Sequence, residues 1–364
     1  MDKSKEIKNN FLFSIIVPVY NTEKYLEKCL KSIKDAIDLD CEVIIVNDGS
    51  TDNSEKIILN FIDTLPSNYK SNFIYTKKEN KGLSDTKNVG ISMARGDYIS
   101  VIDSDDYISN NFYKIAREYI PNYDLIIYDI HVVFEKEKKF NYIARSYDET
   151  KDNLTLGLLC GAMQGSSCNK IIKKELYNNY EFPIGVEYED VSVTPFLLYD
   201  AKSPKYLPYP LYNYLQRKGS IVASNTYTDA FYKICTNISD RISIKKNFEK
   251  YKYIINEFFI CRMLDHLYSD CFMNKRKFNN RLLEFYDNNI DILNYIINSN
   301  LIFTLENNYT ERQKKIVATV CNSILNKNFK KISHLFLLRR IARYFKNVLN
   351  AFIIFILTLI GRKR

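Results

Sequence analysis

The chain has 364 residues, 46% hydrophobic and 26% charged, which excludes a disordered or fibrous protein and suits two domains or one domain with appendages. Its eight cysteines (Cys29, Cys41, Cys160, Cys168, Cys235, Cys261, Cys271 and Cys321) are scattered, with no C-x-x-C pair and no zinc-like spacing, so reduced, mostly buried cytosolic thiols are expected. The net charge of +9 resides in the tail: none of the 43 acidic but 13 of the 52 basic residues follow Glu311, leaving residues 1–311 at −4 and residues 312–364 at +13. A tail of one sign suits an anionic surface, nucleic acid or membrane.

The N-terminal stretch MDKSKEIKNN has no apolar signal core, so export is not expected. FSIIVPVY then reads as a strand buried on both faces, and TEKYLEKCLKSI places Tyr25, Leu26, Cys29, Leu30 and Ile33 at helical spacing. CEVIIVNDGSTDNSEKII repeats strand, polar turn and helix. NFIYTKKENKGLSDTKNVGISMA repeats them again, and DYISVIDSDD supplies a fourth strand. Such βα units predict an α/β fold, a mainly parallel sheet with helices on both faces, whose ligands bind at the carboxyl ends of the strands.

That rule gives the acidic residues a common address. Asp48 follows VIIV in the turn NDGS, and Asp103, Asp105 and Asp106 crowd the end of YISVI. Like charges this close need solvent, a cation or a hydrogen-bond network. Helix capping is the alternative use for Asp48 and Asp52, and a solvated turn is the alternative for the cluster. Neither stretch has the spacing of a calcium-binding helix–loop–helix.

Four stretches in order, SIIVPVYNTEKYLEKCLKSI, EVIIVNDGSTDNSEKI, NKGLSDTKNVGISMARGDYISVIDSDDYI and VEYEDVSVTPFLLYDA, resemble glycosyltransferase family 2, whose members have the GT-A fold. The resemblance runs from about Phe13 to Ile221. It implies that Asp48 hydrogen-bonds the uracil or ribose of a UDP-sugar, and that Asp103, Ser104 and Asp105 form the DxD motif. Asp103 would then touch the ribose, and Asp105 would ligate the Mn²⁺ or Mg²⁺ that bridges the two phosphates. Asp106 is left to shape the turn. Pro18, Tyr20, Asn21 and Lys81 fall on the donor side. So does Lys87, where the family often has Arg; it keeps the charge but not the planar fork.

In EYED, residues 187–190, the resemblance makes Asp190 the general base for an inverting transfer. Glu189 either orients the acceptor or serves as the base instead, and the bland alternative has Asp190 start a helix. Asn169 and Lys170 are expected on the acceptor side, and Arg217 and Ser220 on a flap reaching the diphosphate. The processive QxxRW signature is absent, so one sugar per encounter is expected.

The expected organisation is a GT-A domain over residues 1–225, with a nucleotide-sugar half to about 110 and an acceptor half after it. A helical domain at 226–330 and a tail at 331–364 follow. In the helical region Tyr and Phe recur at steps of three and four, which reads as packed amphipathic helices with an aromatic core. In the tail Leu338, Ile341, Ala342, Phe345, Val348, Leu349 and Phe352 share one helical face, with Arg339, Arg343 and Lys346 opposite. That pattern suits anionic lipid at the inner face of the cell membrane rather than nucleic acid; packing on the protein's own core or a second subunit is the alternative. The function expected is a non-processive, metal-dependent transfer of a hexose or N-acetylhexosamine from a UDP-sugar to a glycan or lipid-linked glycan acceptor in cell-surface polysaccharide synthesis. A non-catalytic nucleotide-sugar-binding protein would not need Asp190, and a nucleotidyltransferase would show a glycine-rich loop where PVYNTEKY stands.

Overall fold

The computed structural model describes residues 11–135, 141–144, 165–186, 188–217, 227–245, 247–261, 263–273, 277–304 and 310–338. Ser220 and almost all of the expected tail helix lie outside them. The chain divides into two compact units, residues 1–237 and 238–364.

The first unit opens with β1 (Phe13–Val19), α1 (Glu23–Ala36), β2 (Cys41–Asn47), α2 (Ser54–Thr64), α3 (Ser67–Lys70), β3 (Phe73–Lys77), α4 (Leu83–Met93) and β4 (Tyr98–Val101). After them come β5 (Tyr107–Ile108), α5 (Phe112–Tyr119), β6 (Leu125–Phe134), β7 (Tyr142–Ala144), β8 (Lys170–Lys173), α6 (Thr194–Asp200) and β9 (Pro204–Gln216). The nine strands form one sheet in the order β3-β2-β1-β4-β8-β6-β9-β5, with β7 on β6. The first four are parallel. Strand β8 runs antiparallel to both β4 and β6, and β9 lies parallel to β6.

Every residue of β1 and β2 is buried, as expected for strands covered on both faces. Phe13, Ile15, Val17 and Val19 pack with Leu26, Leu30 and Ile33 of α1, Ile58 of α2 and Phe112 of α5. Ile16 points the other way and meets Gly90 of α4, so α4 covers the opposite face. Each fully buried aliphatic side chain here contributes about 1.5–3 kcal/mol. Because β1 connects to β2 on one side while β4 lies on the other, the chain reverses direction across the sheet beside β1, and the ends of β1 and β4 lie at the switch point where open α/β sheets bind ligands.

The opposite end of the sheet is pinned by a buried carboxylate. Glu42 accepts hydrogen bonds from Ser14 Oγ at 2.6 Å, Arg95 N at 2.6 Å and Gly96 N at 3.2 Å. A Cβ at Gly96 would lie 2.7 Å from the backbone of Phe13 and Ser14, atoms that cannot swing aside. Gly96→Ala is therefore expected to destabilise the first unit by roughly 3 kcal/mol, the upper end for overpacking. Urea denaturation checks this; an unchanged midpoint would show that the β1 edge yields.

The second unit is helical. Its helices Met263–Met273, Phe278–Asn298 and Glu311–Leu325 bury Leu267, Leu282, Phe285, Ile292, Leu293, Val317, Val320 and Ile324. A capping box joins Thr310 and Gln313 at the start of the last of these, and Asn289 (φ −132°) kinks the middle one. Among the described residues no helix is long and apolar enough to cross a membrane.

Candidate active site

The loops at the carboxyl ends of β1 to β4 are tied together by their own polar side chains. Asn21, left-handed at φ +50°, accepts from Thr51 N at 2.8 Å, and Ser50 Oγ accepts from Asn21 N at 3.1 Å. Thr22 Oγ1 donates to Ser104 Oγ at 3.0 Å, linking the first loop to the fourth. Asp52 accepts from Ser54 N at the head of α2 and from Glu23 N at the head of α1, so one carboxylate serves two helix starts.

Asp48 is buried, and its carboxylate accepts from Lys81 N at 3.0 Å and Gly82 N at 2.9 Å and pairs with Lys78. Gly82 has φ +90°, a conformation that glycine adopts readily and that aims its N–H and that of Lys81 back at the NDGS turn. Lys78 is held in turn by Asp85 at 2.7 Å.

In the turn after β4 the three carboxylates have separate surroundings. Asp106 is buried, accepting from Tyr212 Oη at 2.7 Å and Leu215 N at 2.7 Å, so it fastens β9 to the turn. Burial first, then the charges of Asp103 and Asp105, raise its carboxyl well above the usual range. Asp105 pairs with Arg217 Nε at 2.7 Å, and that guanidinium lies 5.3 Å from the Tyr25 ring. The Asp103 carboxyl is pushed up to about 7 by burial, with Lys87 opposing and Asp105, Asp190 and Glu189 adding to the rise.

That last influence joins the two halves of the expected site. Glu189 and Asp190 stand in a short 3₁₀ turn, Glu189–Ser192, entered through Tyr188 at φ +58°. Lys87, 2% exposed, reaches them from α4, with Nζ 2.7 Å from Glu189 Oε1 and 2.9 Å from Asp190 Oδ1. Burial would pull the Lys87 ammonium down, yet the charges of Asp190, Glu189 and Asp103 hold it well above the usual lysine range. Burial lifts the Glu189 carboxyl, against Lys87. Asp190 Oδ2 accepts from Ser167 N at 3.1 Å, and no side chain caps α6, so Asp190 does not cap that helix.

The structure thus brings Glu189 and Asp190 together on Lys87, within electrostatic reach of Asp103, and pairs Asp105 with Arg217. It keeps Asp48 on the neighbouring loop. Pro18 lies within β1, Tyr20 is 48% exposed just after it, and Ser104 is buried against Thr22. Asn169 and Lys170 are both buried; Lys170 donates to Ser166 O at 2.6 Å, and burial lowers its ammonium to about 8. Sequence reasoning missed Lys78, Ser167 and Tyr212. Only Lys78, a charged residue next to a strand end, carried any signal; a backbone N–H has none.

Among the described residues no three His, Cys, Asp or Glu side chains gather as a metal cage. A cation that bridges two phosphates needs only one or two protein carboxylates, however, and Asp105, 21% exposed, offers a hard oxygen at the open strand end. The donor set fits such an ion.

Comparison with known proteins bears on the same region. The profile described as Glycosyl transferase family 2 matches residues 14–180. Glycosyltransferase GlyG of Streptococcus pneumoniae serotype 4 is 30% identical over 225 residues, 58% of this chain and 73% of that protein. Glycosyltransferase GlyA of the same organism is 30% identical over 253 residues, 64% of this chain but 34% of its own length, so the chain spans only about a third of that relative. Among solved structures, S. aureus TarS 1-349 in complex with UDP-GlcNAc has a TM-score of 0.62 at 20% identity, covering 88% of this chain and 92% of that one. That likeness establishes a shared fold.

Proposed function

We propose, from the premise that this chain belongs to glycosyl transferase family 2, that it moves a hexose or N-acetylhexosamine from a UDP-sugar to a hydroxyl of a glycan acceptor, with inversion. The observation that carries the proposal is the meeting of Glu189 and Asp190 on one buried lysine of α4, 102 and 103 residues away in the sequence. The UDP-GlcNAc held by TarS, a protein of the same fold, supports a UDP-linked donor.

The donor lies over the ends of β1 to β4, its nucleoside near Asp48, Asp103 and the exposed ring of Tyr20 and its diphosphate toward Asp105 and Arg217. Asp105 would hold Mn²⁺ or Mg²⁺, and such an ion would supply charge neutralisation for a departing diphosphate. The acceptor hydroxyl attacks the anomeric carbon from the side opposite the diphosphate, and Asp190 takes its proton. The carboxylate is held for this by two donors, Lys87 Nζ and Ser167 N. Glu189, whose proton affinity burial raises, orients the acceptor. One displacement suffices, with no covalent sugar–enzyme intermediate. A panel of nucleotide sugars given to the purified chain with Mn²⁺, with and without lipid-linked acceptors, tests this by nucleoside diphosphate release. UDP release from a UDP-hexose or UDP-N-acetylhexosamine is expected. No binding and no turnover with any donor would refute the proposal.

The acceptor is carried on lipid, and residues 331–364 hold the enzyme at the inner face of the cell membrane. The support is the sequence spacing, with apolar residues recurring at steps of three and four from Leu338 to Phe352 and Arg339, Arg343 and Lys346 interleaved, together with the +13 charge of residues 312–364. Removing residues 331–364 should abolish sedimentation with anionic liposomes at low salt and leave UDP affinity unchanged. Full-length chain that fails to sediment would contradict the membrane assignment.

A further inference from the structure

Resting on the proposed role of Asp190, we infer that Lys87 is a positioning residue for the base rather than a donor ligand. It holds the Asp190 carboxylate in place, and Asn88 braces the same segment.

The geometry gives Lys87 no free reach. Its side chain is 2% exposed and ends between Glu189 Oε1 at 2.7 Å and Asp190 Oδ1 at 2.9 Å. The ammonium also lies 5.0 Å from the centre of the Phe182 ring, which closes one side of its pocket. Phe182 is fixed by the next residue of α4: Asn88 Nδ2 donates to Phe182 O at 2.9 Å, and Asn88 Oδ1 accepts from Phe182 N at 2.9 Å. Two successive residues of one helix therefore clamp the segment that delivers Glu189 and Asp190. A lysine already held by two carboxylates has little left for a diphosphate, whereas Arg217, 23% exposed, can turn toward one.

The clamp has a chemical consequence. Asp190 shares its turn with Glu189, and among the described residues the contacts that hold its carboxylate are Lys87 Nζ on one oxygen and Ser167 N on the other. Removing Lys87 would leave one oxygen without the contact that fixes its direction, so the base would no longer be aimed at the acceptor hydroxyl.

The test compares Lys87→Met and Lys87→Arg in the full chain, reading UDP affinity by calorimetry together with kcat and KM. Lys87→Met should keep UDP affinity within about threefold and lower kcat by about a hundredfold. Lys87→Arg, with its charge kept on a differently shaped head, should recover part of kcat. If Lys87→Met does not fold, Lys87→Arg decides, with a lowered kcat at unchanged UDP affinity expected. Weakened UDP affinity in either variant would overturn the inference in favour of donor binding, and a loss of stability with kcat unchanged would overturn it in favour of a purely structural pair. A wild-type chain that transfers no sugar would instead overturn the function proposed above.

Discussion

Asp190→Asn should leave UDP-sugar affinity within about threefold and lower kcat by a hundredfold or more, because the amide keeps the shape of the side chain but cannot take the acceptor's proton. The substitution has a structural cost to separate from the chemical one. Asp190 accepts on both oxygens, from Lys87 Nζ at 2.9 Å and Ser167 N at 3.1 Å. An amide offers one oxygen, so one donor is left facing an NH₂ group, at a cost of about 1–3 kcal/mol. That is tolerable for a domain of this size, and preserved UDP affinity would show that the donor half stays folded. Turnover near the wild-type rate would reject Asp190 as the base and move that role to Glu189, its neighbour on the same lysine.

Asp105→Asn should weaken Mn²⁺ and UDP affinity together, each by about 10- to 100-fold, the equivalent of one charge-assisted contact of about 1.5–3 kcal/mol. The fold should hardly notice. The Asp105–Arg217 pair is 21% and 23% exposed, and pairs at such positions contribute only about 0–1 kcal/mol. Asp106, by contrast, holds β9 through Tyr212 and Leu215, so its replacement would disturb the turn itself and could not isolate the cation's part. Unchanged calorimetric affinity for UDP with Mn²⁺ present would remove Asp105 from the donor site.

The parallel half of the sheet was legible because each of its strands is a local apolar run followed by a turn and an amphipathic helix. FSIIVPV, CEVIIVN and FIYTK appear as β1, β2 and β3 within a residue or two of the expected ends. Strands β6, β8 and β9 were not legible as partners, since their pairing spans long stretches of chain and leaves no local period. The acidic turn illustrates the same division. The sequence shows three crowded carboxylates, but their separate fates depend on Arg217, Tyr212 and Lys87, which arrive from 112, 106 and 16 residues away in the chain. The position of Lys87 on a helix after a glycine was readable; its burial between Glu189 and Asp190 was not, because that contact depends on where a segment a hundred residues later returns to the sheet.

The stereochemistry of transfer is decisive. Single displacement with Asp190 as base requires that the transferred sugar change its anomeric configuration, which proton NMR reads from the anomeric coupling of the first product formed from a UDP-sugar of known configuration. A product of configuration opposite to that of the donor is expected. A product that retains the donor's configuration would rule out single displacement.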